Sequence, residues 1–429
     1  MPHCSRCRIA GWPVVAGLGL LLACFEPTDV GPTRANAAET TETKPKNSPP
    51  KIAALVTIYR TDSHAEMLVG RILESYTLDG QGDFPKLKLA SLYVDQVGQN
   101  DLSHGLSEKH GFPIYKSVAA ALTLGGDKLA VDGVIIVAEH GDYPESKTGQ
   151  TIYPKRKLFE QVFEVFARSG RVVPVFSDKH LADNWEDARS IYEQAKQLKV
   201  PMMAGSSLPL AWRYPQTDVV RGSKLKEIAA ISYGPLDAYG FHALEMVQSL
   251  VERRAGGETG LLAVQCLTGD AVWEAGKAGK YDRALLDAAL ARQIERPLPT
   301  GAKVEMLTKE PVLFTLEYKD GLRAHVFTLQ GPVFEWCAAW RDADGRTDST
   351  DCWCQEARPY SHFTHQMKAI EQMMHSGQPA YPVERTLLVS GALHGLLDSK
   401  LQGDKRLELN LPIVYQSQWN WQPPPEIRK

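Results

Sequence analysis

Apolar and polar positions change period along this chain, and the changes mark out its elements. From Ile52 to Ile58 the residues are an apolar, β-forming run; from His64 through Met67, Leu68 and Ile72 the spacing becomes helical. A strand feeding directly into a helix is how a nucleotide-binding βαβ unit opens. "KLKLASLYVDQ" reads as a second strand ending at Asp95, followed by the helix-like "GLSEKHG". "SVAAALTLGGDKLAVDGVIIVAEHGDYP" gives a helix and then an almost wholly apolar strand, Gly133 to Ala138, of the kind buried on both faces of a parallel sheet. The next fifty residues repeat the cycle as helix, glycine stop at Gly170, strand, helix, strand. These alternations predict a Rossmann-like, doubly wound α/β domain over about 51–212. Beyond Trp212, "LKEIAAISYG", "VLFTLEYKDG", "LRAHVFTLQG" and "LELNLPIVY" alternate with period two, predicting an α+β domain over 213–429 with a mostly antiparallel sheet and C-terminal helices returning to the core.

The first fifty residues have a different character. Arg6 and Arg8 precede an apolar stretch, Ala10 to Phe25, short for a membrane span and placed as a signal peptide, so the mature chain is expected to be exported, periplasmic or extracellular. Two processing sites compete: a lipoprotein-like "LLAC" ending at Cys24, which would add a lipid anchor, and an "ANA" site at 35–37. Residues 38–50 are polar and proline-bearing, as suits a linker. A formal charge of −3 and the lack of a basic tract with interleaved aromatics argue against nucleic acid as a partner. For an exported chain, Cys266, Cys337, Cys352 and Cys354 would allow one or two disulfides, with three pairings open.

"LAVDGVIIVAEHGDYP", "GRVVPVFSDKHLADNWEDARSIYEQAKQLKVPMMAGSSLPLAWR" and "YGFHALEMVQSLVERRAGGE", in that order and spacing, resemble the glucose-fructose oxidoreductase / inositol dehydrogenase (Gfo/Idh/MocA) family. The resemblance implies NAD or NADP on the first domain, a sugar or polyol between the domains, and scope for a homo-oligomer. Asp178-Lys179-His180 stands where the family has glutamate-lysine-proline, which makes Lys179 a candidate for proton transfer near the reacting carbon. His242 matches the family histidine, and Glu245, three residues on, shares its helical face, so a His242–Glu245 pair is expected in the cleft. Asp95 matches the ribose-binding acid at the end of the second strand.

The departure is the first turn. In the family it is glycine-rich, because residues without Cβ let the backbone approach a pyrophosphate. Here it reads Tyr59-Arg60-Thr61-Asp62-Ser63-His64, leaving Arg60 and Ser63 as the candidates for phosphate contact. Two classes of function follow: an NAD(P)-dependent oxidoreductase with an atypical turn, or an exported protein on the same fold that binds a carbohydrate or a protein without redox chemistry. His140, Asp142 and Tyr143 lie in a long polar loop at the expected ligand edge of the sheet and are candidates to line the cleft. Cys352, Cys354, His362 and His365 match no common zinc spacing, and no metal site is assigned.

Overall fold

Fourteen strands and eleven α-helices make up the described residues, 48–424, of a computed structural model. The expected leader (1–37) and almost all of the linker lie outside them. Residues from Pro49 onward form one unit.

The first half alternates as expected: β1 (Lys51–Val56), α1 (His64–Glu74), β2 (Lys88–Val94), α2 (Ser103–His110), β3 (Ile114–Tyr115), α3 (Val118–Thr123), β4 (Gly133–Val137), α4 (Lys155–Ser169), β5 (Val175–Asp178), α5 (Trp185–Gln197) and β6 (Met202–Gly205). The strands pair in parallel in the order β3-β2-β1-β4-β5-β6, the doubly wound arrangement whose switch point lies between β1 and β4. Every residue of β4 is buried, as an apolar strand between two helical layers requires. Gly170 ends α4 in the left-handed conformation, donating its amide to Ala167 and Phe166.

The second half contains β7 (Trp212–Tyr214), β8 (Leu225–Ser232), α6 (Ala238–Val251), β9 (Leu261–Thr268), α7 (Asp270–Lys277), α8 (Arg283–Leu290), α9 (Val304–Leu307), β10 (Lys309–Tyr318), β11 (Arg323–Gln330), β12 (Cys337–Asp342), β13 (Thr347–Trp353), α10 (Ser361–Ser376), α11 (Glu384–Leu401) and β14 (Leu407–Leu411). Its sheet runs β14-β9-β10-β11-β8-β12-β13-β7, antiparallel except for β11 beside β8. The expected mostly antiparallel sheet is therefore present, and more helical than its period-two segments suggested.

The chain's last helices tie the two halves together. Phe363, Met367, Ile370 and Met373 of α10 pack into the same core as Ile52 and Val56 of β1, each contributing roughly 1.5–3 kcal/mol by burial. Gly133 admits this helix, since a Cβ there would lie 2.3 Å from Met374 Sδ. Leu387 of α11 joins the first domain's core while Leu388 and Val389 join the second's.

All four cysteines of the described residues are free thiols, against the expectation of disulfides. Sheet geometry explains part of this. Cys337 lies opposite Asp351, so Cys352 points to the other face, and the two thiols sit in different cores.

Candidate functional site

The C-terminal ends of parallel strands are where an open α/β sheet presents ligand-binding groups. Here β1, β4 and β5 deliver His64, Glu139, His140, Asp178 and Lys179 to one edge. Helix α6 brings Tyr239 and His242 from the second domain, and the segment after β13 brings Glu356, Tyr360, His362 and Phe363. Between them lies a cavity of about 280 Å³, walled by Trp336, Tyr239 and Phe363 and reached by Lys179, His64, His140 and His242.

Two buried acid–base pairs organise this edge. His64 Nδ1 lies 2.6 Å from Asp178 Oδ2, with 12% of the histidine side chain and 1% of the aspartate exposed. A carboxylate partner fixes Nδ1 as the donor and leaves Nε2 for a ligand. Lys179 Nζ lies 3.2 Å from Glu139 Oε2, both almost fully buried. Burial would push the Glu139 carboxyl up, but Lys179 and Lys155 outweigh it and hold it well below the usual carboxylate range. Burial likewise opposes the Lys179 charge, and Glu139 reverses that, so its pKa rises above the ordinary lysine value. Lys155, at the start of α4, donates to the carbonyls of Asp178 (2.9 Å) and His180 (2.6 Å) and so fixes the turn that carries Lys179.

The other histidines here are held neutral. Burial, then the charge of Lys179, puts His242 well below its ordinary value. Burial, then His64, lowers His140 to about 4; burial, then Arg71, lowers His362 to about 3. His242 Nδ1 sits 2.6 Å from Ser206 Oγ, and that oxygen also accepts the Leu208 amide. The His64 and His242 rings are 6.3 Å apart across the cavity.

Backbone strain is concentrated at the same place. Asp62, His140, Lys179 and Tyr360 all line this cavity, and all have φ between +55° and +64°. Side chains with a Cβ disfavour that region by roughly 1–2 kcal/mol per residue, and such strain clusters where function over-determines the backbone.

The turn between β1 and α1 is self-satisfied. Ser63 caps α1, taking the amides of Arg60 (3.2 Å) and Glu66 (3.3 Å). Glu66 reaches back to the Asp62 amide at 2.7 Å, one residue before the cap, so the serine and the glutamate hold the helix start from both sides. From outside, Tyr360 donates to Asp62, and Arg358 pairs with Glu66 at 3.1 Å. Buried Arg71 holds the Tyr360 carbonyl at 2.8 Å, clamping this cover to α1. At the end of β2, Asp95 is taken by Tyr93 and Tyr143 hydroxyls, each at 2.7 Å. Gln96 clasps the Asp142 backbone through both its amide N–H (2.8 Å) and its carbonyl (2.9 Å). The amides of Arg60, Asp62 and Glu66 are thus bonded to a serine and a carboxylate, and Asp95 is bonded to two tyrosines.

Of the residues singled out from sequence, Lys179, His242 and His140 converge on the one cavity. Asp142 and Tyr143 do not line it; they close the loop onto β2. Arg60 donates to Thr61 O at 2.9 Å, and Ser63 and Asp95 are engaged as above. The expected His242–Glu245 pair does not form. Glu245 is wholly buried behind the cavity, against Gly205, where an added Cβ would lie 2.7 Å from its Oε2. Burial pushes its carboxyl up to about 7, with Arg385 pulling the other way. His365 lies against the Trp212 ring, and His362 bonds Ser207 Oγ at 2.8 Å; among the described residues no cluster is arranged to hold a metal. Sequence reasoning missed His64, Glu139, Asp178 and Lys155. The "SDK" closing β5 and the histidine opening α1 were the available signals.

No protein-family profile matches the sequence, and no curated protein matches it. Solved structures do. The crystal structure of GenD2 from gentamicin A biosynthesis, in complex with NAD, is similar with a TM-score of 0.55 at 13% identity, covering 87% of this chain and 100% of that one. A myo-inositol dehydrogenase from Corynebacterium glutamicum gives 0.51 at 14% identity, covering 84% and 99%. The Lactobacillus casei myo-inositol dehydrogenase in complex with NAD(H) and myo-inositol gives 0.51 at 11%, covering 84% and 97%. At these identities the shared property is the two-domain fold.

Proposed function

We propose that this chain, which has the Gfo/Idh/MocA dehydrogenase fold, binds a small sugar or polyol in the cavity at the edge of its parallel sheet and polarises its hydroxyls there, without a dinucleotide in the groove. The observation that carries the reading is the convergence of four strained residues with two buried acid–base pairs on one cavity. In this reading His64, held by Asp178, offers Nε2 as an acceptor to a substrate hydroxyl. The Ser206 hydroxyl donates to His242 Nδ1, so that neutral His242 offers Nε2–H from the facing wall. Lys179, kept charged by Glu139, stabilises negative charge that develops on a substrate oxygen. Tyr239, half-buried with the Trp336 ring stacked against it at 5.5 Å, supplies the apolar face against which a sugar ring stacks. Export through the segment 1–37, to a compartment poor in free nicotinamide cofactor, belongs to the same proposal.

NAD(P)-dependent hydride transfer is the second reading, favoured by the NAD complexes among the similar folds. Calorimetric titration of the purified protein with NAD(H), NADP(H), myo-inositol and a sugar panel separates the two. The proposal expects polyol or sugar binding that His64→Ala and Lys179→Ala weaken at least ten-fold, and no binding of either dinucleotide at millimolar concentration. Micromolar dinucleotide binding would overturn it.

A further inference from the structure

We infer that a second cavity beside the first, floored by Asp351 and edged by Trp353, is a second sugar subsite, so that the ligand is a disaccharide or glycoside spanning both cavities and not a single free ring. This rests on the sugar or polyol reading of the first cavity. The second has a volume of about 390 Å³ and shares Trp336, Cys354 and Glu356 with the first, so the two are neighbouring chambers of one cleft.

Its walls carry the features that recognise a sugar ring. Trp353 is 39% exposed although it ends a strand, with the ring of its cross-strand neighbour Trp212 6.1 Å away. An exposed tryptophan packed beside another ring offers a stacking surface. Two polar groups are buried without a partner: Asp351 Oδ2, in a residue 1% exposed, and the indole Nε1–H of Trp336, in a residue 3% exposed. Buried polar atoms are nearly always paired, so an unpartnered carboxyl oxygen and an unpartnered indole donor beside one cleft call for a ligand group that both donates and accepts, as a hydroxyl does. The neighbouring Glu335 does not compete, because its carboxylate already accepts the amides of Ile294, Glu295 and Arg296. Burial, then Glu335, pushes the Asp351 carboxyl up to about 8, so at neutral pH it is largely protonated and suits a neutral hydroxyl better than an ammonium group.

The test is calorimetry of the intact protein with glucose, galactose, mannose and myo-inositol beside cellobiose, maltose, lactose and mannobiose. The inference expects at least one disaccharide to bind ten-fold or more tightly than either of its component sugars. Trp353→Ala and Asp351→Ala should remove that excess while leaving single-sugar affinity within two-fold. Trp353 is on the surface, so its variant keeps the fold, as circular dichroism would verify, even if the Asp351 variant does not. Equal affinity for one ring and two, or an equal loss for both in Trp353→Ala, overturns the inference and leaves the first cavity's reading standing. Failure of every sugar and of inositol to bind overturns that reading, and the inference with it.

Discussion

Replacing Glu139 by Gln changes one atom's charge and almost no volume, in the most constrained part of the site. The carboxylate is 4% exposed and faces Lys179 Nζ at 3.2 Å and Lys155 Nζ at 3.6 Å. Removing it leaves two ammonium groups in the same buried pocket with only a neutral amide between them. Breaking a buried ion pair from one side costs about 3–5 kcal/mol. We expect about 3 kcal/mol here, since Lys155 keeps its two carbonyl partners. The variant should also respond to pH in a defined direction. Burial already holds Lys155 below its ordinary value; without Glu139 both lysines should have folded pKa values below the unfolded value near 10.4, so the unfolded chain binds their protons more tightly. Stability lost at neutral pH is then recovered as pH rises through the folded values toward 10. Urea unfolding at pH 7 and pH 9.5, wild type beside Glu139→Gln, measures both effects. A loss under about 1 kcal/mol at pH 7, or a gap that does not narrow at pH 9.5, would refute the claim that this carboxylate holds both lysines in their charged, buried state.

Acid should act on the buried histidines first. His140, His180 and His362 are lowered to about 4, 3 and 3 chiefly by burial, and His242 well below its ordinary value. Their unfolded values lie near 6.5, so their contribution is complete above that pH and falls as pH drops toward the folded values, each by up to about 1.4 kcal/mol per pH unit. The urea midpoint should therefore decline already between pH 6.5 and 5, before most carboxylates titrate; a flat profile there would contradict the assignment. Glu66→Ala removes the bond to the Asp62 amide at the start of α1 and the pairing with Arg358, and should lower stability by about 1 kcal/mol in thermal unfolding.

The parallel domain was legible because its signal is local. A wholly apolar five-residue strand such as β4, a glycine after α4 and a serine before α1 each state their geometry within a few residues. The second domain was less so. Strand β12, "CAAWRD", is too short and too small-residued to show a period, and its place beside β8 depends on residues a hundred positions earlier. The site was legible only where a single residue projects directly into the cavity, as Lys179 and His242 do. Its pairs were not, since His64 finds Asp178 across 114 positions and Lys155 finds the carbonyls on either side of Lys179. Glu245 shows the opposite error. Helical spacing puts it near His242, but the cavity occupies only part of that face, and the next part turns to Gly205 and the core.

The glycine-free first turn has a consequence beyond the turn itself. Ser63 and Glu66 take the amides of Arg60, Asp62 and Glu66 within the chain. The Asp62 carboxylate then becomes an anchor for Tyr360, and Arg71 for the backbone around it, which brings the start of α10 down over the sheet edge. His362 and Phe363 enter the cavity from that same start. The turn that carries these bonds is therefore also the one that holds the cavity's outer wall. On this account the self-capped turn and the small, strained, histidine-lined site are coupled, and a variant that lost the Asp62–Tyr360 bond would loosen the wall along with it.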